Sequence, residues 1–195
     1  MRFNGSAWEF VGTAGFSAWF VEDVCLDMDS NDVPYVAFRD GGNDNKATVM
    51  KFNGTTWVNV GSAGFSAAAA KYICLKLDCN DKPIVAYSDE AFNDKITVMH
   101  YTGGNWETLG NSGFTPNDAD YLSMNLLCDA SPYVAFKDNT TNGGISVMRF
   151  YNSNWEFVGP AEFSPNHVYD ISIGFDAANT PYVAYIDKQN PNYEG

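Results

Sequence analysis

Aspartate recurs at one position every 49 residues along the chain, at Asp40, Asp89, Asp138 and Asp187. Paired carboxylates hydrolyse glycosidic bonds, and the fold rather than a local motif brings such pairs together. An aspartate at the end of a strand also forms turns, because its carboxylate accepts hydrogen bonds from nearby backbone N–H groups. We interpret these four aspartates as structural turn residues and keep a carboxylate pair as the enzymatic alternative.

Other catalytic chemistry has little support in the residue pattern. His100 occupies a strand position where the other repeats carry arginine or lysine, and His167 lies in a connection between strands. The sequence contains no serine elbow, no cysteine–histidine pairing signal and no histidine cluster with zinc spacing. We therefore predict no catalytic residues, no cofactor and no metal site.

The segment from Asp27 to Asp32 alternates side-chain oxygens as calcium-binding loops do. The second repeat has Lys76 at the position of Asp27, and no glutamate follows at the spacing of an EF-hand. We interpret the segment as a plain hairpin turn.

The four cysteines occupy only two positions of the repeat. Cys25 and Cys74 share a position that is serine in the later repeats, and Cys79 and Cys128 share a position that is otherwise serine or alanine. Such a position requires a small side chain. Equivalent residues of neighbouring repeats are also expected to exceed the ~7 Å between Cα atoms that a disulfide tolerates. We predict four free thiols.

The elements that position these residues follow from an internal repeat of 49 residues. The second repeat contains four runs with strand patterning, at 72–78, 83–88, 96–101 and 105–110, which we term strands A to D. Four antiparallel strands per repeat are typical of a β-propeller blade. A tryptophan on strand D and a phenylalanine in the D–A connection are expected to fill the wedge between neighbouring blades. The positions that recur are Trp8, Trp57, Trp106 and Trp155; Gly12, Gly61, Gly110 and Gly159; Phe16, Phe65, Phe114 and Phe163; and Pro34, Pro83, Pro132 and Pro181.

Several segments, namely Pro83–Asp89, Thr97–Met99, Trp106 and Gly110–Phe114, resemble the blade repeats of large secreted and cell-surface β-propeller proteins. The resemblance covers the whole chain and implies an extracellular or cell-surface location. It does not select one function, because propellers include enzymes, lectins and scaffolds. The sialidase Asp-box, Ser-x-Asp-x-Gly-x-x-Trp, is not present, so no sialidase residues are carried over.

The length of the chain predicts how its ends meet. The 195 residues begin within strand C of one repeat and stop after strand B of another, one residue short of four repeats. We expect an all-β fold with a single β-propeller domain over residues 1–195. It would contain four four-stranded blades, the last shared between residues 1–12 and 170–195.

This closure would pair the N-terminal strands C and D with the C-terminal strands A and B and remove the open sheet edges. Phe3 and Trp8 would then pack against the strand that contains Tyr182, Ala184 and Ile186. The pairing can form within one chain, giving a monomer, or between two chains, giving a head-to-tail homodimer. A segment of a larger protein is the third alternative.

Two segments vary among the repeats, the B–C loop and the second half of the D–A connection, and both emerge on one face of the propeller. Loops on a rigid scaffold commonly carry function. Aromatic rings beside carboxylates and amides suit neutral sugars, which stack and form hydrogen bonds at once. On this rim we expect the ligand-binding residues Trp19, Phe20, Phe92, His167 and Tyr169.

Charge and hydropathy exclude two classes of partner. With 11 basic and 24 acidic residues the formal charge is −13, which repels phosphate backbones and argues against nucleic acid. No run of 18 apolar residues is present, so we predict no membrane insertion.

We therefore predict a non-catalytic binding or scaffold module, lectin-like in its use of carbohydrate, with glycans or a surface protein as partners. The alternatives are a glycosidase-type propeller enzyme with carboxylates in the central channel and a purely structural surface domain.

Overall fold

The computed structural model describes residues 1–127, 130–165 and 167–187. These residues form sixteen β-strands and two 3₁₀ turns, and neither turn has the length and apolar character of a membrane-spanning helix. The turns are Gly41–Asn43 and Glu90–Phe92. The strands are β1 (Arg2–Phe3), β2 (Trp8–Glu9), β3 (Val21–Met28), β4 (Pro34–Asp40), β5 (Lys46–Phe52), β6 (Trp57–Asn59), β7 (Ala70–Leu77), β8 (Pro83–Asp89), β9 (Lys95–Tyr101), β10 (Trp106–Thr108), β11 (Ala119–Leu126), β12 (Pro132–Asp138), β13 (Gly144–Tyr151), β14 (Asn154–Phe157), β15 (Val168–Phe175) and β16 (Pro181–Asp187).

Three four-stranded antiparallel sheets follow one another along the chain, β3 to β6, β7 to β10 and β11 to β14. Within each sheet the strands lie in chain order, so each is a meander of strands A to D. The strands predicted in the second repeat are confirmed as β7 to β10. The architecture is all-β and consistent with a four-bladed propeller.

The apolar residues of the strands fill the wedges between consecutive sheets. Leu75 and Val49 belong to the cluster between the first two sheets, and Met124 and Val98 to the cluster between the second and third. A third cluster includes Ile173 and joins β15 and β16 to the third sheet. Strand β8 is buried along its whole length, which explains its apolar pattern on both faces.

The repeated aspartates close the B–C loops, as their interpretation as turn residues predicted. The Asp89 carboxylate accepts hydrogen bonds from the Ala91 backbone N–H at 3.1 Å and from the Thr97 hydroxyl at 2.9 Å. Asp40 and Asp138 make equivalent bonds in their own repeats. These three carboxylates are therefore occupied within their own sheets.

Three of the four repeated tryptophans, and three of the four repeated phenylalanines, join neighbouring sheets as predicted, whereas Trp8 and Phe163 are 67% and 46% exposed. The Trp106 indole donates a hydrogen bond to the Val60 carbonyl at 2.8 Å and stacks on Phe65 with 4.1 Å between ring centroids. Gly61 has a φ of 74°, and a Cβ there would lie 3.0 Å from the Trp106 ring. The same contacts recur at Trp57 and Trp155.

The structure does not show the predicted closure of the last blade. Strands β1 and β2 form a two-stranded sheet of their own, and β15 and β16 form another. Phe3 packs against Trp8 with 5.8 Å between ring centroids, and Trp8 is 67% exposed. Tyr182 on β16 is 61% exposed. The C-terminal part of the predicted last blade, residues 188–195, lies outside the described residues.

Candidate functional site

Strand A of each repeat, the inner strand of a propeller blade, carries a β-bulge near the face where the B–C loops emerge, and strand D is the outer strand. The register of β3, β7, β11 and β15 shifts at this point, and one residue of each strand adopts a positive φ. A non-glycine residue in this region stores roughly 1–3 kcal/mol of backbone strain. Such outliers cluster at functional sites. The four residues are Asp23 at 50°, Tyr72 at 52°, Tyr121 at 48° and Asp170 at 46°.

These four bulges surround one cavity of about 260 Å³. The residue that follows each bulge completes the lining, so that all four inner strands contribute equivalent positions. Because strand A of every repeat contributes to the cavity, we call it the channel mouth below. It is lined by Asp23, Val24, Tyr72, Ile73, Tyr121, Leu122, Asp170 and Ile171.

The Tyr72 and Tyr121 rings line the channel mouth, and together with Tyr169, which contacts Tyr121, they form an aromatic wall. The Tyr72 and Tyr121 rings lie 5.2 Å apart, and Tyr169 meets Tyr121 edge-on at 5.1 Å. The Lys137 ammonium lies 5.9 Å from the Tyr121 ring centroid and 5.6 Å from that of Tyr169. The same ammonium lies 3.7 Å from the Asp120 carboxylate.

Burial and nearby carboxylates both act on the Tyr72 phenol. Burial, then the negative charge of Asp120, raises the pKa of the Tyr72 phenol to about 12. The Asp23 carboxylate accepts a hydrogen bond from the Tyr72 backbone N–H at 3.0 Å. Asp94 is paired with Lys71 at 2.9 Å. Tyr72 is therefore a neutral hydrogen-bonding phenol at physiological pH.

This arrangement can hold a ligand that presents both an apolar face and hydroxyl groups. Aromatic rings bind the apolar face, and carboxylate oxygens accept hydrogen bonds from the hydroxyls. Asp23 and Asp170 line the same cavity from the first and last inner strands, so the enzymatic alternative also has two carboxylates in the channel.

The structure brings one of the five predicted rim residues into this wall. Tyr169 is half-buried beside Tyr121, and His167 lies exposed two residues before it with a φ of 61°. The Phe20 ring packs over Gly41, and Trp19 is exposed on the same connection. Trp19 and Phe20 lie just before β3, whereas His167 lies just before β15 and Tyr169 lies on it.

Phe92 lies elsewhere on the rim, in the 3₁₀ turn after β8. Its side chain packs over Gly113 of the following connection, where a Cβ would lie 2.6 Å away. A ligand role for Phe92, as for the other four residues, stays a prediction.

Sequence reasoning missed Tyr72 and Tyr121 as candidate ligand residues. They sit at the start of strand A, where the pattern indicated only a strand. The signal was a repeat position that changes from Asp23 to tyrosine twice and back to Asp170. The bulge that places the residue at this position in the lining of the cavity has no local sequence signature.

The segment suggested as a calcium loop is a hairpin turn. Asp29 accepts hydrogen bonds from the backbone N–H groups of Asn31 and Val33, at 2.8 and 2.9 Å. Asp27 instead accepts one from Leu77 of the next sheet. Over the described residues no group of three metal-ligating side chains comes together.

Small side chains further along the inner strands tie each strand to the next one. Cys25 Sγ accepts a hydrogen bond from the Leu75 backbone N–H at 3.3 Å, and Ser123 Oγ accepts one from Ile173 at 3.3 Å. The Cys74 thiol donates to the Met124 carbonyl at 3.7 Å. A thiol and a hydroxyl can both accept this hydrogen bond, which explains why the position holds either cysteine or serine.

The described cysteines are free thiols, as predicted for all four. They are Cys25, Cys74 and Cys79, and Cys128 lies outside the described residues.

No protein-family model matches the sequence, and no curated protein matches it. Among solved structures the chain is similar to an ulvan lyase of a new polysaccharide lyase family, with a TM-score of 0.59 and 14% identity. That alignment covers 88% of this chain and 48% of the lyase. A triple arginine-to-alanine mutant of AofleA from Arthrobotrys oligospora gives a TM-score of 0.61 at 15% identity, over 84% of this chain and 49% of that one.

A bifunctional GH43-CE protein of Bacteroides eggerthii gives a TM-score of 0.57 at 12% identity, over 90% of this chain and 26% of that protein. The chain thus spans about half the length, or less, of these structures. At such identities the similarity is one of fold, and it agrees with the β-propeller-type architecture of the three sheets.

Proposed function

We propose that this protein is a carbohydrate-binding module whose ligand enters the mouth of the central channel. The observation that carries the proposal is the meeting of Tyr72 and Tyr121 with Asp23 and Asp170 around one cavity. Rings and carboxylates on rigid inner strands form a preorganised surface for a polyhydroxylated ligand.

The charge of the molecule narrows the class of glycan. The formal charge is −13, and the described cations nearest the wall, Lys71 and Lys137, each lie within 4 Å of a carboxylate. An anionic glycan would therefore meet net repulsion, whereas a neutral one would not. The ligand we propose is a neutral sugar or the end of a neutral oligosaccharide.

The loops around the mouth extend this site in our proposal. Tyr169 already belongs to the aromatic wall, and His167 is exposed beside it. Trp19 and Phe20 expose 67% and 51% of their surface on the first connection, where a longer glycan can reach them. Carbohydrate-active proteins of similar fold support the ligand class, and an extracellular or cell-surface location follows from the same class of partner.

Calorimetry with neutral monosaccharides and oligosaccharides, chosen from a glycan array, tests the proposal. Tyr121→Asn removes the ring and keeps a residue that tolerates a positive φ. It should weaken binding by about tenfold, the contribution of one aromatic contact. Tyr151→Ala is the control, because Tyr151 is an exposed tyrosine at the end of β13 and does not line the cavity.

Equal loss of binding in both variants would contradict the channel as the site. No binding of the wild-type protein to any glycan would leave the structural surface domain as the better hypothesis.

A glycosidase-type enzyme is the second candidate, and the presence of Asp23 and Asp170 in one cavity supports it. The release of new reducing ends from a panel of polysaccharides measures this activity. Asp23→Asn and Asp170→Asn should each abolish it while sugar binding persists. Activity that survives both substitutions would exclude these carboxylates as the catalytic pair.

A further inference from the structure

The channel mouth is polar toward the solvent and aliphatic toward the protein. The four bulge residues supply two carboxylates and two phenols, and the residue after each bulge is aliphatic. The carboxylates belong to Asp23 and Asp170, which are both exposed. By contrast, Ile73, Leu122 and Ile171 are only 7%, 9% and 8% exposed. These aliphatic side chains therefore form the deeper part of the cavity.

We call the four residues that follow the bulges the aliphatic lining. Three of them also belong to the cores between sheets, Ile73 to the first cluster, Leu122 to the second and Ile171 to the third. Packing on these clusters fixes the three side chains before any ligand arrives, so the apolar surface is preorganised. The fourth member, Val24 on β3, lines the same cavity and is 62% exposed.

The aliphatic lining offers a ligand no hydrogen-bonding side chain. Among the residues that line the cavity, only the four bulge residues carry one. The next position along the inner strands holds small polar side chains, and three of them bond to the neighbouring strand. These are Cys25, which accepts from Leu75, Cys74, which donates to Met124, and Ser123, which accepts from Ile173.

This distribution of polar and apolar groups discriminates between the substituents of a sugar. A hydroxyl placed against the aliphatic lining loses its hydrogen bonds to water and gains no side-chain partner, which costs free energy. A methyl group at the same place is removed from water favourably. The hydroxyls of a sugar are therefore favoured at the carboxylates and phenols near the solvent, and a methyl group is favoured at the deeper end.

We propose, on the basis of the carbohydrate site proposed above, that the bound sugar carries a methyl group and that this group contacts the aliphatic lining. Its hydroxyls face Asp23, Asp170 and the tyrosines. A 6-deoxy sugar carries such a methyl group on its ring, and an N-acetyl sugar carries one on its acetamido group. Both are neutral, as the charge of the protein requires.

The size of the cavity restricts the methyl group to the end of a glycan. Its volume of about 260 Å³ lies just below the roughly 300–1,000 Å³ of pockets that hold drug-sized ligands. The cavity therefore accommodates one sugar residue rather than several. The methyl group accordingly belongs to the terminal residue, and the rest of an oligosaccharide extends toward the rim.

Calorimetry with pairs of neutral sugars that differ at this one group tests the proposal. In one arm each 6-deoxyhexose is compared with the hexose of the same configuration. In the other arm each N-acetylhexosamine is compared with its N-formyl analogue, which lacks only the methyl group. In at least one pair the methyl-bearing sugar should bind about tenfold more tightly or better, as one apolar group in a pocket allows. The arm that shows the preference identifies the source of the methyl group.

Substitutions of valine and isoleucine by threonine locate the contact. Val24→Thr keeps the shape of the side chain and adds a hydroxyl, and it should fold because Val24 is exposed. Ile171→Thr makes the equivalent change on the last inner strand. Each should reduce the preference for the methyl-bearing sugar by about threefold or more. Val58→Thr is the matched control, because Val58 lies on the outer strand β6 and does not line the cavity.

The outcomes separate this proposal from the function on which it depends. Neutral sugars that bind without preference in either arm would overturn the methyl contact and leave carbohydrate binding intact. A preference that survives both Val24→Thr and Ile171→Thr would also overturn it, since the methyl group would then lie elsewhere. A protein that binds no neutral sugar at all would overturn the proposed function and the methyl contact with it.

Discussion

Tyr72 shows how one repeat position acquires a special environment. The backbone conformation at this position is shared with Asp23, Tyr121 and Asp170, so the fold tolerates different side chains there. At Tyr72 the side chain is partly buried and faces the negative charges of Asp120, Asp23 and Asp94, and these raise its pKa to about 12. The neutral phenol is the form that the folded state favours.

The stability of the protein should therefore depend on Tyr72 at alkaline pH. The folded-state pKa of about 12 lies above the ordinary value of 10.0, so the contribution of this phenol is complete below pH 10 and is lost as the pH rises to 12. Urea unfolding at several pH values should show a steeper alkaline loss of stability for the wild type than for Tyr72→Phe. Parallel curves for the two proteins would contradict the environment described here.

The buried aspartate of each B–C loop should contribute strongly to stability. Asp89 is 1% exposed, and burial raises the pKa of its carboxyl. Asp89→Ala leaves the Thr97 hydroxyl and the Ala91 N–H without their acceptor, which should cost about 1–3 kcal/mol of unfolding free energy. In a double-mutant cycle with Thr97→Val the two effects should couple by roughly 1 kcal/mol. Additive effects would show that the bond between these side chains contributes little.

At the scale of elements, the repeat predicted most of what the structure contains. Period-two patterning and the spacing of Trp106 and Phe65 predicted the strands and the contact between sheets, because local sequence specifies both. The bulge at Tyr72 was not predicted, since an irregularity of register depends on the neighbouring strand. The channel mouth depends on four such bulges, so the sequence led to a hypothesis about the rim aromatics and Tyr169 but not about Tyr72 and Tyr121.

A glycine that lies against the tryptophan of the next sheet should be intolerant of any side chain. Gly61 combines a φ of 74° with a Cβ position 3.0 Å from the Trp106 ring, whereas Gly15 has a φ of 66° and open space around it. Alanine at either position adds similar backbone strain, but only Gly61→Ala also displaces the indole. Chemical denaturation should show Gly61→Ala less stable than Gly15→Ala by about 1–3 kcal/mol. Equal losses would mean that backbone strain alone explains the glycine.

The whole molecule carries a formal charge of −13, which opposes its compact state through self-repulsion. Sodium chloride screens this repulsion, so the melting temperature should rise as the salt concentration is raised from low millimolar to physiological strength. Glu90 is exposed, and Glu90→Lys should raise the melting temperature at low salt and flatten the salt dependence. A melting temperature that falls with salt would mean that the surface ion pairs outweigh the net charge.

The hydrogen bonds that join neighbouring sheets have a consequence for how the molecule unfolds. Along the inner strands, Cys25 Sγ of the first sheet accepts a hydrogen bond from the Leu75 backbone N–H of the second. Near the outer strands, the Trp106 indole of the second sheet donates a hydrogen bond to the Val60 backbone carbonyl of the first. Whichever sheet detaches, its neighbour keeps a backbone group without a partner. Nearest-neighbour coupling is therefore strong, and a repeat array so coupled loses its sheets together rather than one at a time. Hydrogen exchange at the Leu75 and Ile173 amides should accordingly report one common opening free energy, although these residues lie two sheets apart.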